Sequence, residues 1–277
     1  MPATDREAGK RLALAGRLAR EAGRILLDRL GRLEREEITF KGRRDLCTAA
    51  DRASEAFLLE HIHRHHPGEP ILAEEGLEDY RARGDEDLLW VLDPLDGTTN
   101  FVHHFPLFAV SVGIWRRGRP WLGAVHLPCS GETFTGLAGG GAWLAGKEIA
   151  LSRETELDRA LLGTGFPYDR SEPGAETNLD RFGRALLAAQ GIRRTGSVCI
   201  DLCWLAAGRL DGFWELGLGP HDLGAAPAIV LGAGGVVTDL AGGADYLRTG
   251  RIVAAGPGLH DKLLALVGDG AEDGESH

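Results

Sequence analysis

Cysteine is scarce in this sequence. Four cysteines in 277 residues are too few for the disulfide scaffold of a small secreted domain. Cys199 and Cys203 have the i, i+4 spacing of one helix face, but no second cysteine pair completes a zinc site. We therefore interpret this pair as small buried hydrophobic side chains, and we expect a reducing compartment, the cytoplasm.

Long apolar runs and an excess of basic charge are also lacking. No stretch approaches the roughly 20 apolar residues of a membrane span. Basic residues interrupt the N-terminus where a signal peptide would need an apolar region. The formal net charge is −10, whereas a nucleic-acid interface requires a basic face. The composition therefore predicts that neither a membrane nor a nucleic acid is a partner.

Hydrophobic residues make up 43% of the chain, which is an ordinary content for a globular protein. Residues from 1 to about 150 have the pattern of two helices followed by consecutive strands, which predicts an antiparallel sheet. Residues 151–268 alternate short strands with helices, which predicts parallel strands. We expect residues 1–268 to form one domain of two packed halves with a layered α+β or α/β fold. Residues 269–277 are predicted to be a disordered acidic tail.

The most informative segment follows an apolar run at residues 88–92, which is typical of a buried strand. Asp93 ends this run, and Asp96 follows three residues later. Two carboxylates so close at a strand exit would repel each other unless a divalent cation with oxygen ligands lay between them. An intervening proline fixes one backbone dihedral and so can direct the carbonyl of Leu95. Gly97 leaves room for another group to approach the backbone.

Three further acidic residues lie at predicted element junctions. Glu74 ends a short apolar strand, Asp222 begins an alanine-rich helix, and Asp51 lies in the first turn of a helix. A helix cap or first-turn acid is the alternative interpretation of Asp51 and Asp222. The acids do not have EF-hand spacing. A phosphatase of the haloacid dehalogenase type, whose two acids are two residues apart, fits the Asp93–Asp96 spacing poorly.

Residues 93–101, together with the Glu74-Glu75 pair and Asp222, resemble the three signature regions of the inositol monophosphatase family. Further similarity to this family is carried by residues 45–51, 163–168, 193–197 and 211–215. The resemblance implies a Mg²⁺-dependent, lithium-sensitive phosphatase with an αβαβα layered fold, usually a homodimer. A phosphate monoester carries about two negative charges at neutral pH, so a carboxylate-lined pocket would need such cations to bind it.

The resemblance also implies a role for each matched residue. Two or three Mg²⁺ ions would be held by the side chains of Glu74, Asp93, Asp96 and Asp222 and by the carbonyl of Leu95. The catalytic residues would be Asp51 and Thr98, which help to deprotonate the attacking water, with Glu74 and Asp96. The phosphate would meet the backbone N–H groups of Gly97 and Thr98. The polyol would meet Gly196, Ser197, Glu215 and Asp222.

The chain departs from the family pattern beside Asp222. His221 stands where the family usually has tryptophan, and Leu223 and Gly224 follow where alanines are usual. We interpret His221 as a space-filling side chain, with titration near neutrality or a phosphate contact as the alternatives. Gly224 is expected to loosen the helix start that holds Asp222.

Because of these departures, the sequence does not determine which small phosphate monoester is the substrate. The default substrate that the resemblance implies is myo-inositol 1-phosphate. The alternatives are histidinol phosphate, fructose 1,6-bisphosphate and a nucleotide 3′-phosphate. A protein of a different class, a phosphatase-like body whose main function is to bind a partner, is the contrasting hypothesis.

Overall fold

The computed structural model describes residues 3–40, 46–74 and 87–270. Glu75 and residues 271–277 of the predicted acidic tail lie outside these ranges. Asp269, the first residue of that predicted tail, accepts hydrogen bonds from Arg181 and Arg251.

The first half of the chain forms a sheet of seven strands in the order β3-β4-β5-β6-β7-β8-β9. Its strands pair antiparallel, as predicted, except that β3 and β4 are parallel. The elements are α1 (Ala3–Arg29), β1 (Ile38–Phe40), β2 (Leu46–Thr48), α2 (Ala49–His65), β3 (Ile71–Ala73), β4 (Leu89–Asp96), α3 (Thr98–Val102), β5 (Ala109–Arg116), β6 (Arg119–Leu127), β7 (Glu132–Leu137), β8 (Gly141–Leu144) and β9 (Lys147–Glu148).

The second half forms a sheet of five strands in the order β11-β10-β12-β14-β13. The elements are β10 (Leu161–Thr164), α4 (Leu179–Ala188), β11 (Gly191–Arg193), α5 (Val198–Ala206), β12 (Gly212–Leu216), α6 (Ala226–Gly232), β13 (Val236–Thr238), α7 (Tyr246–Thr249), β14 (Arg251–Ala255) and α8 (His260–Val267). β10 is parallel to β11 and β12, as predicted, but β14 is antiparallel to both its neighbours. The connection from β13 to β14 contains only the short helix α7, so the chain reverses there without a long crossover.

The elements stack as five layers. α1 and α2 cover the outer face of the seven-stranded sheet, α5 and α6 lie between the two sheets, and α4 and α8 cover the far face of the five-stranded sheet. Alternate strand residues enter different apolar clusters: Phe213 packs between the sheets and Trp214 packs beneath the second sheet. Because the first sheet is covered on both faces, its central strands β4 and β5 are buried along almost their whole length. This arrangement is the predicted αβαβα sandwich.

Three glycines on adjacent strands allow α6 to lie close to the first sheet. Gly113 pairs with Gly123, and Gly123 pairs with Gly136, so the three form a row across β5, β6 and β7. A Cβ atom on any of them would lie less than 3.0 Å from the backbone of residues 224–229. The row therefore fixes the distance between the sheet and the segment that leads into α6.

The four cysteines all lie in the described ranges and form no disulfide bond. Cys47, Cys199 and Cys203 are buried, and Cys129 is exposed. Cys199 and Cys203 lie in α5 within the apolar cluster between the sheets, as the interpretation of the cysteines predicted. Among the described residues, no helix has both the length and the apolar character needed to cross a bilayer.

Candidate active site

The site begins where β3 and β4 leave the first sheet. The parallel register pairs Ala73 with Leu92, so the next residues, Glu74 and Asp93, emerge beside each other. Strand pairing thus brings together carboxylates from two separate segments of the chain.

A bulge in β4 places the second acid of the central motif. Side chains in a regular strand alternate, so residues three apart point to opposite faces. The register of β4 against β5 shifts between Asp93 and Asp96, which is the signature of a β-bulge. The bulge turns both carboxylates towards one site, and Pro94 is accommodated in it because no ladder hydrogen bond is required of its nitrogen.

Two overlapping groups of ligand atoms result. Asp93, Asp96 and Asp222 each place one carboxylate oxygen within 4.8 Å of the other two. Glu74, Asp93 and His221 form a second group with the same spacing. Asp93 belongs to both groups, and it is 2% exposed. A shared, buried carboxylate between two ligand groups is the arrangement expected of a site for two cations.

Asp96 is oriented by the start of α5. Its Oδ2 accepts a hydrogen bond from the backbone N–H of Cys199 at 2.8 Å and another from the hydroxyl of Ser197. Ser197 is also the N-cap of α5, since its hydroxyl accepts from the N–H of Ile200 at 3.2 Å. These two donors leave Oδ1 of Asp96 as the oxygen that can bind a cation.

Asp51 and Thr98 form the predicted pair. The hydroxyl of Thr98 lies 3.1 Å from Oδ1 of Asp51 and 3.0 Å from the carbonyl oxygen of Leu95. Oδ2 of Asp51 accepts from both the backbone N–H and the hydroxyl of Thr48, the N-cap of α2. Asp51 therefore completes a capping box, which confirms the helix-cap interpretation, and it also contacts Thr98. Its catalytic role stays a prediction.

Burial and like charge raise the pKa values of the site carboxylates. Burial raises the pKa of Asp93 well above its usual range, and Glu74, Asp96 and Asp222 raise it further. Burial and the charge of Asp222 raise the pKa of Asp96 to about 6. Burial raises the pKa of Asp51 to about 6, although its hydrogen bonds with Thr48 favour the ionised form. A bound cation would offset this repulsion, and hard divalent ions prefer such oxygen ligands.

We predict that the metal-free protein loses stability as the pH rises from about 4 to about 7. Asp51 and Asp96 have a pKa of about 6 in the folded chain, above the ordinary value of 3.8 that applies to the unfolded chain. The folded chain therefore holds more protons than the unfolded chain in this window. The protonated carboxyl group of Asp51 therefore stabilises the fold fully below pH 3.8, and this contribution is lost as the pH rises through 6. The free energy of unfolding falls by on the order of 3 kcal/mol for a pKa shift of this size.

Mg²⁺ should reverse this trend, because cation binding requires ionised ligands. We expect Mg²⁺ to raise the thermal midpoint more at about pH 7.5 than at about pH 5. The difference between midpoints with Mg²⁺ and with EDTA, measured at each pH, removes the contribution of other titratable groups. An equal difference at both pH values would contradict the prediction.

The predicted substrate residues line a neighbouring cavity of about 50 Å³. Gly196, Ser197, Glu215 and Asp222 all face it. Glu215 is 8% exposed, and a Cβ atom on Gly165 would overlap its carboxylate, so glycine at position 165 admits this side chain. Burial raises the pKa of Glu215 and of Asp201, another acid that lines the cavity. Both carboxyl groups can exchange hydrogen bonds with hydroxyl groups of a substrate.

The turn that carries Asp222 differs from the prediction. The helix was expected to begin at Asp222, but α6 begins at Ala226, and Pro227 occupies its first turn as is common there. Asp222 is held instead by the N–H of Gly219, which donates to its Oδ2 at 2.6 Å. The indole of Trp115 donates to the Gly224 carbonyl at 2.9 Å. Gly224 is thus an anchored position, and the expected loosening at this residue is wrong.

Several residues that hold the segments of the site in place were not predicted from the sequence. Ser54 donates to the Pro94 carbonyl at 2.8 Å and holds the bulge from α2. The amide of Asn100 donates to Leu107 and Thr195, at 2.6 and 2.9 Å, and joins α3 to the segment before α5. The Thr48 to Asp51 spacing is a capping-box signal and was available in the sequence. The contacts of Ser54 and Asn100 are tertiary and have no local signal.

Comparison with known proteins agrees with this geometry. The inositol monophosphatase family profile matches residues 9–271. The Nus factor SuhB of Salmonella typhimurium is 39% identical over 262 residues, covering 95% of this chain and 97% of that protein. Inositol monophosphatase 1 of Solanum lycopersicum is 38% identical over 258 residues, covering 91% and 93%. The solved structure of inositol monophosphatase from Anabaena (Nostoc) sp. PCC 7120 superposes with a TM-score of 0.82 at 39% identity, covering 94% and 95%. The chain therefore belongs to the inositol monophosphatase family.

Proposed function

We propose that this protein is a Mg²⁺-dependent phosphomonoesterase acting on a small polyol phosphate, with myo-inositol 1-phosphate as the first candidate. The observation that carries the proposal is the pair of ligand groups sharing Asp93, directly beside the Asp51–Thr98 contact. Glu74, Asp93, the Leu95 carbonyl, Asp96 and Asp222 would hold two or three ions. When bound, Mg²⁺ would supply charge neutralisation for the phosphate and increase the acidity of water.

Asp51 is placed to accept the proton of the attacking water through Thr98. The single hydrogen of the Thr98 hydroxyl has two acceptors within reach, Asp51 and the Leu95 carbonyl. If it is donated to Asp51, the lone pairs of the hydroxyl remain available to accept a proton from water. As the water oxygen bonds to phosphorus, its proton would pass to Thr98 and that of Thr98 to Asp51. The bond from phosphorus to the alcohol oxygen would break at the same time, and the departing alkoxide would take a proton from a solvent water molecule. A pKa of about 6 suits a base working near neutral pH.

The segment after the bulge would hold the phosphate. Gly97 has a φ of 92°, a left-handed conformation that favours glycine, and α3 begins at Thr98. The first N–H groups of a helix have no acceptor within the helix, so those of Gly97 and Thr98 are suited to phosphate oxygens. A Cβ at residue 97 would also approach the Leu107 carbonyl oxygen to 3.1 Å, which makes glycine the residue that fits.

The neighbouring cavity would hold the alcohol. Glu215, Asp201 and Asp222 present carboxyl oxygens to it, together with the Gly196–Ser197 turn. Carboxyl groups can exchange hydrogen bonds with several hydroxyl groups, so the alcohol part of a polyol monophosphate suits this cavity. Inhibition by Li⁺, a homodimer and a cytoplasmic location complete the proposal as expectations from the family.

A phosphate-release panel tests the proposed activity. Purified protein with Mg²⁺ is assayed against myo-inositol 1-phosphate, histidinol phosphate, fructose 1,6-bisphosphate and a nucleotide 3′-phosphate, with and without Li⁺. We expect the highest kcat/KM for the inositol phosphate and inhibition by Li⁺. A different preferred monoester would overturn the substrate only, whereas no release from any of them would overturn the enzyme.

A second candidate function is partner binding. It is favoured by the printed name of curated relatives at 39% identity, "Nus factor SuhB". The expectation that nucleic acid is not a partner has no support in these names. Pull-down from lysate by wild-type protein, with and without RNase, tests it directly. Capture of the same proteins by wild type and by an inactive Asp93→Asn variant would show that binding does not depend on the catalytic site.

A further inference from the structure

His221 lies among the metal-ligand candidates of the site. One of its ring nitrogens is within 4.8 Å of carboxylate oxygens of both Glu74 and Asp93. The side chain is 17% exposed, and its Nδ1 is buried without a hydrogen-bond partner among the described residues. Such an unpaired ring nitrogen is costly unless a ligand completes it.

The surroundings of the ring do not resemble those of a space-filling side chain. The cavity that His221 lines, about 240 Å³, is bordered by polar groups that include Glu74, Asp93 and Thr98. The ring packs over Gly219, where a Cβ atom would lie less than 3.0 Å from it. Its Nε2 is 3.7 Å from Oδ2 of Asp222. The backbone of the turn therefore fixes the imidazole at the edge of the site.

The two ligand groups that share Asp93 differ in chemistry. The group formed with Asp96 and Asp222 consists of oxygen atoms only, whereas the group formed with Glu74 includes an imidazole nitrogen. Mg²⁺ prefers oxygen ligands. An imidazole nitrogen instead favours divalent transition metals, and the affinity of such a site increases from Mn²⁺ to Co²⁺ and Zn²⁺. The residue that departs from the usual tryptophan thus changes the donor set of one metal position.

We infer that His221 is a nitrogen ligand of the metal position it forms with Glu74 and Asp93. This position prefers Mn²⁺, Co²⁺ or Zn²⁺ to Mg²⁺, while the position of Asp96 and Asp222 keeps the preference for Mg²⁺. The inference rests on the proposed function only in that both use the same carboxylates. It requires no change in the proton path through Asp51 and Thr98.

The test detects the nitrogen directly, without an activity assay. Metal-free protein is loaded with Mn²⁺, and ¹⁴N coupling to the metal is measured by pulsed electron paramagnetic resonance. A second sample labelled with ¹⁵N-histidine shows whether the coupled nitrogen belongs to histidine, and it needs no substitution that could disturb folding. We expect a histidine nitrogen signal that is lost in His221→Gln and retained in His63→Gln, which changes an exposed histidine near the end of α2.

Affinity provides the second measurement. Titration with Co²⁺ should show weaker binding to His221→Gln by about 10–100-fold, since loss of a ligand should cost at least as much as loss of an outer partner. Mg²⁺ binding to the all-oxygen position should change by less than about threefold. Mn²⁺ bound without histidine coupling in wild-type protein would overturn the inference alone. No binding of any of these metals would instead overturn the proposed metal-dependent function.

Discussion

Replacing Asp93 with asparagine is expected to lower phosphatase turnover by at least about 10³-fold, even at saturating Mg²⁺. Asp93 is the residue common to both ligand groups, so its loss removes a negative charge from each. Charge stabilisation by bound cations contributes several kcal/mol to such a reaction, and about 1.4 kcal/mol corresponds to a factor of ten. Asparagine keeps the size of the side chain and changes mainly its charge.

Stability separates a functional loss from misfolding in this variant. Burial and three neighbouring carboxylates raise the pKa of Asp93, so the ionised side chain is unfavourable in the metal-free fold. The Asp93→Asn variant should therefore be as stable as the wild type, or more stable, in EDTA. It should lose most of the stabilisation that Mg²⁺ gives to the wild type, since that stabilisation depends on binding to the folded state.

Asp87→Asn is the matched control, because the Asp87 side chain is 88% exposed and, among the residues that the structure describes, pairs across the surface with Arg117 at 3.3 Å. A surface ion pair of this kind contributes little, about 0–1 kcal/mol, and lies outside the ligand groups. We expect wild-type turnover and wild-type Mg²⁺ stabilisation for this variant. Near-wild-type turnover of Asp93→Asn in saturating Mg²⁺ would refute the assignment of Asp93 as a metal ligand.

The centre of the site was predictable because its chemistry is local. Asp93 and Asp96 are three residues apart, and the intervening proline and the following glycine indicated a directed Leu95 carbonyl and an accessible backbone. The bulge between the two acids was not predicted. The parallel pairing of β3 with β4 was not readable from the sequence, and it is what brings Glu74 beside Asp93. Sequence alone suggested that the acids belong together, whereas strand register explains how they meet.

The features that were not predicted from the sequence depend on tertiary contacts. Ser197 reaches Asp96 across 101 residues, and Trp115 reaches Gly224 across 109. No periodicity connects such positions. The helix predicted from Asp222 was wrong at its start because alanine content favours helix locally, whereas the hydrogen bonds of residues 219–224 hold a turn there. The mixed second sheet was missed for a similar reason, since the pattern of short strands does not determine their direction.

Gly123→Ala is expected to destabilise the protein strongly, although it adds only one methyl group. Gly123 is the central member of the glycine row, and a Cβ atom there would lie less than 3.0 Å from the carbonyl oxygen of Ala225. The obstacle is backbone rather than a flexible side chain, so the sheet and the segment before α6 must separate. Overpacking typically costs 1–3 kcal/mol and occasionally more, and we expect about 3 kcal/mol or more here.

This separation should also reach the metal site. The carbonyl of Gly224 is held by Trp115 and lies next in sequence to Ala225, so displacement of Ala225 moves the turn that carries Asp222. We therefore expect weaker Mg²⁺ binding together with a lower thermal midpoint, by at least about 5 °C.

Gly183→Ala is the control, because a Cβ atom at this position of α4 meets nothing within 4 Å. Alanine in a helix should raise stability there by up to about 1 kcal/mol. If Gly123→Ala instead kept both its midpoint and its Mg²⁺ affinity, the glycine row would not set the position of Asp222.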